Sequence, residues 1–131
     1  AEAAAKGYIS ADAETLYNTG VQLAFEYWLT ELPADYLSGA AAYDAPGTTP
    51  LEQIITQKWI ANIINGYEGW VEWRRTGFPE FKPVAASLND GLIPVRMPYP
   101  AEEQALNADN YQAAAAATND NSLNAPVWWD N

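Results

Sequence analysis

The stretch Gln57–Pro79, QKWIANIINGYEGWVEWRRTGFP, decides how the rest of the chain is read. It carries Trp59, Trp70 and Trp73, the adjacent Arg74 and Arg75, and a Gly77-Phe78-Pro79 ending. Just upstream lies the clearest helix start in the chain. Thr49 suits an N-cap, Pro50 the first helical position and Glu52 the third, which together make a capping box. From there Leu51, Ile54, Ile55, Trp59, Ile63 and Ile64 return at helical spacing and predict a broad buried face. Gly66 is expected to interrupt this helix. It resumes at Tyr67 and continues to Arg75, and Thr76-Gly77-Phe78-Pro79 stops it.

Working towards the N-terminus, Pro33 to Thr48 is a loop of Gly, Ala, Tyr and Pro. Before it, Leu16, Tyr17, Gly20, Val21, Ala24, Tyr27 and Trp28 form one stripe, with Glu14, Asn18, Gln22 and Glu26 on the opposite face. Asp12 caps this helix, which is predicted over 13–29 and ended by Leu32-Pro33. Ala1 to Lys6 has high helix propensity, and Gly7 fits its C-terminus. Working the other way, Glu80 to Tyr99 is irregular, with an Asn89-Asp90-Gly91 turn. Leu92 to Arg96 is a candidate short strand, although Pro94 argues against a central one. Pro100 opens a short helix with Glu102 and Glu103 at its positive end. A second short helix is predicted over 109–117, and the tail TNDNSLNAPVWWDN closes the chain. The fold class expected is all-α, helices with long irregular loops.

Composition narrows function by exclusion. The 131 residues carry a formal net charge of −11, which argues against nucleic acid or an anionic membrane as partner. Cys and His are absent, so disulfides, thiolate chemistry and the commonest general base and metal ligand are absent too. The apolar runs are far shorter than a membrane span. The start, AEAAAKGYIS, has no signal-peptide core and reads as the tail of a helix that begins further upstream. The chain is therefore expected to be a fragment of a longer protein.

Glu68, Glu72 and Arg75 share a helix face, and this reads better as a salt-bridged surface than as a catalytic pair. Arg74 and Arg75 suit an anion clamp. In so acidic a chain they more readily pair with internal carboxylates or helix-end carbonyls. Trp28, Trp59, Trp70 and Trp73 sit in helical patterns and read as packing. Tyr36 and Tyr43 lie in a loop and are freer to face a ligand, because a flat apolar face beside a polar handle suits a sugar ring. Trp128 and Trp129 either dock into a groove of their own protein or line a site, and docking is the preferred reading. Glu102, Glu103, Asp109 and Asp120 match no compact calcium loop. No metal site and no catalytic residue is expected.

Three separated blocks then form a pattern: QKWIANIINGYEGWVEWRRTGFP at 57–79, IPVRMPYPAEEQALN at 93–107 and VWWD at 127–130. Together they resemble the C-terminal part of SusD/RagB-like proteins, the nutrient-binding outer-membrane lipoproteins of Bacteroidota. The segments AEAAAKGYIS and YNTGVQLAFEYW are similar to those that precede the blocks, so the resemblance covers nearly the whole chain. It implies a largely α-helical, surface-exposed lipoprotein, much longer than this chain, with a helical-repeat N-terminal half and a lipid-anchor Cys. It also implies a SusC-like TonB-dependent transporter as partner, an oligosaccharide or peptide as ligand, and no enzymatic activity or required cofactor. The matching residues Trp59, Trp70, Trp73, Arg74, Arg75, Arg96 and Tyr99 read as architectural. No ligand residue carries across, which leaves Tyr36, Tyr43, Trp128 and Trp129 as candidates.

The function expected is substrate capture at the outer membrane for a glycan or peptide importer, on the cell-surface side. The alternatives are a fragment of a carboxylate-dependent glycoside hydrolase, which needs two carboxyl groups across one cleft, and a structural module that docks on the transporter. The helices and Pro-rich loops are further expected to need an outside apolar surface, the N-terminal remainder of the same protein.

Overall fold

The structure is a computed structural model that describes residues 1–130. Its elements are α1 (Glu2–Ala5), α2 (Ala13–Tyr27), a 3₁₀ turn (Tyr36–Ser38), α3 (Pro50–Ala61), α4 (Gly66–Thr76), α5 (Ala101–Leu106) and α6 (Ala108–Ala116). No strand occurs among the described residues, so the chain is all-α as expected. It divides into two compact units. One comprises Ala1–Trp73 with Gly77–Glu80, and the other Arg74–Thr76 with the chain from Phe81 onward.

The first unit is built by α1, α2 and α3 packing on one another. The cap of α2 is as predicted: Asp12 Oδ1 accepts the Thr15 N–H at 2.7 Å. Hydrogen bonding from Thr15, its side chain first and its backbone N–H second, holds the pKa of this exposed carboxylate below its ordinary value. The helix ends at Tyr27, two residues before the predicted Leu29, because Leu29 turns left-handed at φ 53°. The capping box of α3 is complete. Thr49 Oγ1 accepts the Glu52 N–H at 3.2 Å, and Glu52 Oε2 accepts the Thr49 N–H at 3.4 Å. Where α2 crosses α3, Tyr17, Val21, Ile54 and Ile55 form the core, with Phe25, Leu32, Tyr36, Tyr43, Leu51 and Phe78 packed around it. The Tyr17 hydroxyl donates to Ala41 O at 2.7 Å and ties the long loop to this core. Burial, with Tyr36 nearby, pushes the Tyr17 pKa up to about 12.

The helix break does not fall at Gly66. Asn62 Nδ2 donates to Lys58 O at 2.8 Å, and the Asn62 N–H bonds Lys58 O and Trp59 O. A side chain that competes for the helix's own carbonyl ends α3 here. Gly66 is instead the first residue of α4. The glycine that matters is Gly69, buried inside α4. A Cβ there would lie 2.7 Å from Cδ1 of the Trp59 indole, so the close passage of α3 and α4 requires its absence. At the other end Gly77 takes φ 80° and its N–H caps Trp73 O at 2.7 Å.

In the second unit α5 and α6 pack together. Asn107 serves as C-cap of one helix and N-cap of the next. Gln104 Nε2 donates to the Tyr111 hydroxyl at 3.1 Å, and Tyr99 meets Tyr111 edge to face at 6.3 Å. The candidate strand Leu92–Arg96 is not one. Val95 and Arg96 both donate to the single carbonyl of Leu123, at 2.9 and 3.2 Å, which makes no ladder. After α6, Asn119, Asp120 and Asn121 are all left-handed, at φ 49°, 58° and 60°. Asn and Asp are the non-glycine residues that tolerate this region best.

Candidate functional site

In the first unit, the 3₁₀ turn and α3 enclose a surface cavity of about 430 Å³. That is within the range of small-molecule sites, roughly 300–1,000 Å³. Glu52, Gln53, Thr56 and Gln57 project into it from α3, and Asp35 and Tyr36 from the turn opposite. The spacing explains the convergence: helical positions 52, 53, 56 and 57 share one face.

Three internal bonds fix the lining. The Tyr36 hydroxyl donates to Gln57 Oε1 at 3.1 Å. Gln53, only 5% exposed, donates through Nε2 to Ala40 O at 3.1 Å and to Thr48 Oγ1 at 3.0 Å. A backbone carbonyl only accepts, so the amide nitrogen faces Ala40 and the amide oxygen faces away. Among the described residues nothing donates to Gln53 Oε1, and that oxygen is not a fully buried atom. Among the described residues no hydrogen bond engages the Asp35 carboxylate, the Thr56 hydroxyl or Gln57 Nε2.

The other candidate residues go to different places. Tyr43 leaves the loop surface and packs on Tyr17, ring centroids 5.6 Å apart. Trp129 lies under Arg74, whose guanidinium carbon is 4.2 Å from the ring centre. Trp128 is 95% exposed. The turn that carries it is firmly held. Asp130 N donates to Val127 O at 3.0 Å, and Asp130 Oδ2 accepts the Val127 N–H at 2.8 Å. Asp130 Oδ1 meets Arg74 Nε at 3.0 Å, and both side chains are nearly fully buried.

The residues of the sequence pattern all make defined contacts. Trp59 fills the space over Gly69, and Trp70 stands edge to face with Tyr67 at 6.4 Å. Arg74 joins the WRR block to the WWD block through Asp130 and Trp129. Arg96 donates to Asn121 Oδ1 at 3.0 Å and Ser122 O at 3.1 Å, and lies 5.0 Å from the Tyr99 ring centre. Asn121 Oδ1 also accepts the Tyr99 N–H at 2.8 Å. The left-handed turn at 119–121 thus aims one side chain at both the Arg and the Tyr of the second block.

Glu68 and Glu72 share a cation that the sequence reading overlooked. Lys58 Nζ lies 2.6 Å from Glu72 and 3.6 Å from Glu68, a salt-bridged face closed by the neighbouring helix. Lys58 is one turn from Asn62, and only the break between α3 and α4 brings it over Glu72. Among the described residues no three acidic side chains converge to hold a metal ion. No described helix is long and apolar enough to cross a membrane.

Among the described residues the chain is all-α, and the cavity beside the 3₁₀ turn combines one aromatic ring, Tyr36, with polar side chains. Comparison with known proteins places it more closely. The family model SusD-like_2, described as starch-binding associating with outer membrane, matches residues 1–100. The chain belongs to this SusD-like family. Among curated proteins none matches. Among solved structures, a chitin-binding protein is 32% identical with a TM-score of 0.78, over 99% of this chain and 30% of its own. A SusD-like protein from Bacteroidetes AC2a is 29% identical with a TM-score of 0.85, over 99% of this chain and 28% of its own. The chain thus spans under a third of the length of either.

Proposed function

We propose that this chain is part of a substrate-capture protein that binds neutral glycans at the outer-membrane surface and hands them to a SusC-like TonB-dependent transporter. The observation that carries the reading is the likeness to a chitin-binding protein, 32% identical across 99% of the chain. Three features support it. The net charge of −11 disfavours anionic ligands and leaves neutral ones. The cavity at Tyr36 offers hydrogen-bonding groups without internal partners. Trp128 presents an apolar face to solvent, the surface on which sugar rings stack.

The chain is read as the C-terminal portion of the protein, with a lipid anchor on the part that precedes it. That part is also read as the cover for the apolar surface left open on the first unit at Leu29, Ile63 and Ile64, which are 93%, 70% and 80% exposed. Binding rather than hydrolysis is favoured at the Tyr36 cavity because the Glu52 carboxylate is engaged in the capping box. That leaves no free pair of carboxyl groups to divide acid and base roles.

The test is a glycan array with the full natural protein, followed by affinity purification from cells that express it. Retention of neutral oligosaccharides without their turnover, and recovery of an outer-membrane transporter, are expected. Selective retention of peptides, or release of shortened sugars, would overturn the reading.

A further inference from the structure

The cavity between the 3₁₀ turn and α3 carries a held polar group with an unused acceptor. Gln53 is a polar residue with only 5% exposure, flanked in sequence by Ile54 and Ile55. Its Nε2 bonds to Ala40 O and Thr48 Oγ1 tie the loop to α3 and fix the amide. Among the described residues nothing donates to its Oε1, which is not a fully buried atom. Gln53 lines the cavity, so this held oxygen is an acceptor that the loop contacts do not use.

We propose that this cavity is a subsite for one neutral sugar ring, with Gln53 Oε1 accepting a ligand hydroxyl or amide N–H. The assignment rests on the glycan-binding reading and adds the site. Around that fixed acceptor stand complementary groups. The Asp35 carboxylate accepts a second hydroxyl, the Thr56 hydroxyl donates or accepts, and Gln57 Nε2 donates while its Oε1 is held by Tyr36. The Tyr36 ring forms an apolar wall, steadied by its edge-to-face contact with Phe25 at 5.2 Å. A pyranose presents just this mixture, several hydroxyls around its rim and an apolar face. Two carboxylates on the rim, Asp35 and Glu52, reject uronates and sulfated sugars by like charge. The flexible parts of the site are few, since Gln53, Gln57 and Tyr36 are already held by the protein. Little side-chain ordering then opposes binding.

The experiment is calorimetric titration of the full natural protein with N,N′-diacetylchitobiose, cellobiose and maltose at millimolar concentrations. It is repeated on Thr56→Val and Asp35→Asn. Neither side chain has a hydrogen bond among the described residues, so both variants are expected to melt as the parent does. A Leu106→Ala variant, at an exposed position outside the cavity, is run alongside. If the subsite is real, each cavity variant weakens the preferred disaccharide about fivefold, as loss of one hydrogen bond predicts. The Leu106 variant leaves that binding in place. If the parent binds a sugar and the cavity variants bind it equally well, the subsite is wrong and the glycan reading stands. If the parent binds none of the three sugars, the subsite falls together with the reading beneath it.

Discussion

Replacing Asp130 with Ala removes one carboxylate from the junction of two sequence blocks, and the structure sets the expected size of the effect. Asp130 accepts from Arg74 Nε at 3.0 Å and from the Val127 N–H at 2.8 Å, with side-chain exposures of 3% for Asp130 and 6% for Arg74. Removing one partner of a buried pair costs roughly 3–5 kcal/mol, because the other charge stays buried. Arg74 keeps its stacking on Trp129 and further contacts, so the lower end, about 3 kcal/mol, is expected. Arg74→Met alone strands the carboxylate instead and is expected to cost about as much. In the double variant neither charge is left behind, and a coupling of about 2 kcal/mol should appear. The assay is urea denaturation followed by Trp fluorescence for the parent, the two single variants and the double. Hydrogen exchange at Val127 N–H is measured alongside, because Asp130→Ala frees that amide. Additive single-variant costs, or an Asp130→Ala variant with unchanged midpoint and Val127 protection, would refute the account of this junction.

Further outcomes follow from single contacts. Gly69→Ala gains helix propensity but drives a Cβ to 2.7 Å from the Trp59 indole; a net loss of about 1–2 kcal/mol is expected, relieved by Trp59→Leu in the same chain, and read by thermal melting. Tyr17 should titrate near pH 12 in an absorbance titration. Its folded pKa lies above the unfolded value, so its stabilising contribution is complete below about pH 10 and is lost as pH rises towards 12. Tyr17→Phe removes the donor to Ala41 O and abolishes that alkaline dependence at a cost of about 1 kcal/mol. Asn18 Oδ1 is buried without a partner, so Asn18→Ala should raise the melting temperature by a gain of up to about 1 kcal/mol, from helix propensity and from removing the unmet acceptor.

Local cap signals were legible. Asp12, Thr49-Pro50-Glu52 and Gly77 act within one helical turn of themselves, and their roles can be read without knowing the fold. The all-α class and the family followed from spacing and from the three blocks. Side chains acting across distance were not legible. Gln53 breaks no periodic rule as a polar residue on a helix, and only its burial against the 3₁₀ turn reveals the cavity. Lys58 gave no signal in the sequence, because its partner, Glu72, is brought to it by a helix break placed four residues away from where glycine suggested. The Arg96–Asn121 contact joins residues 25 positions apart, beyond the reach of any pattern in the chain. Tyr43 looked available because it lies in a loop rich in Gly, Ala and Pro, yet that loop is tied to the core by Tyr17.

The left-handed run at Asn119, Asp120 and Asn121 restricts which sequences this loop accepts. A β-branched residue at any of the three meets its own backbone, at a cost of about 1–2 kcal/mol per position. Asn121 must in addition present an acceptor oxygen to Arg96 and to the Tyr99 N–H. Gly suits positions 119 and 120 but would silence 121. Gly, Asn and Asp are therefore favoured at two positions, and at the third only Asn and Asp, which carry an acceptor. The segment that looks least constrained by composition, a run of small polar residues after α6, has a narrow permitted vocabulary.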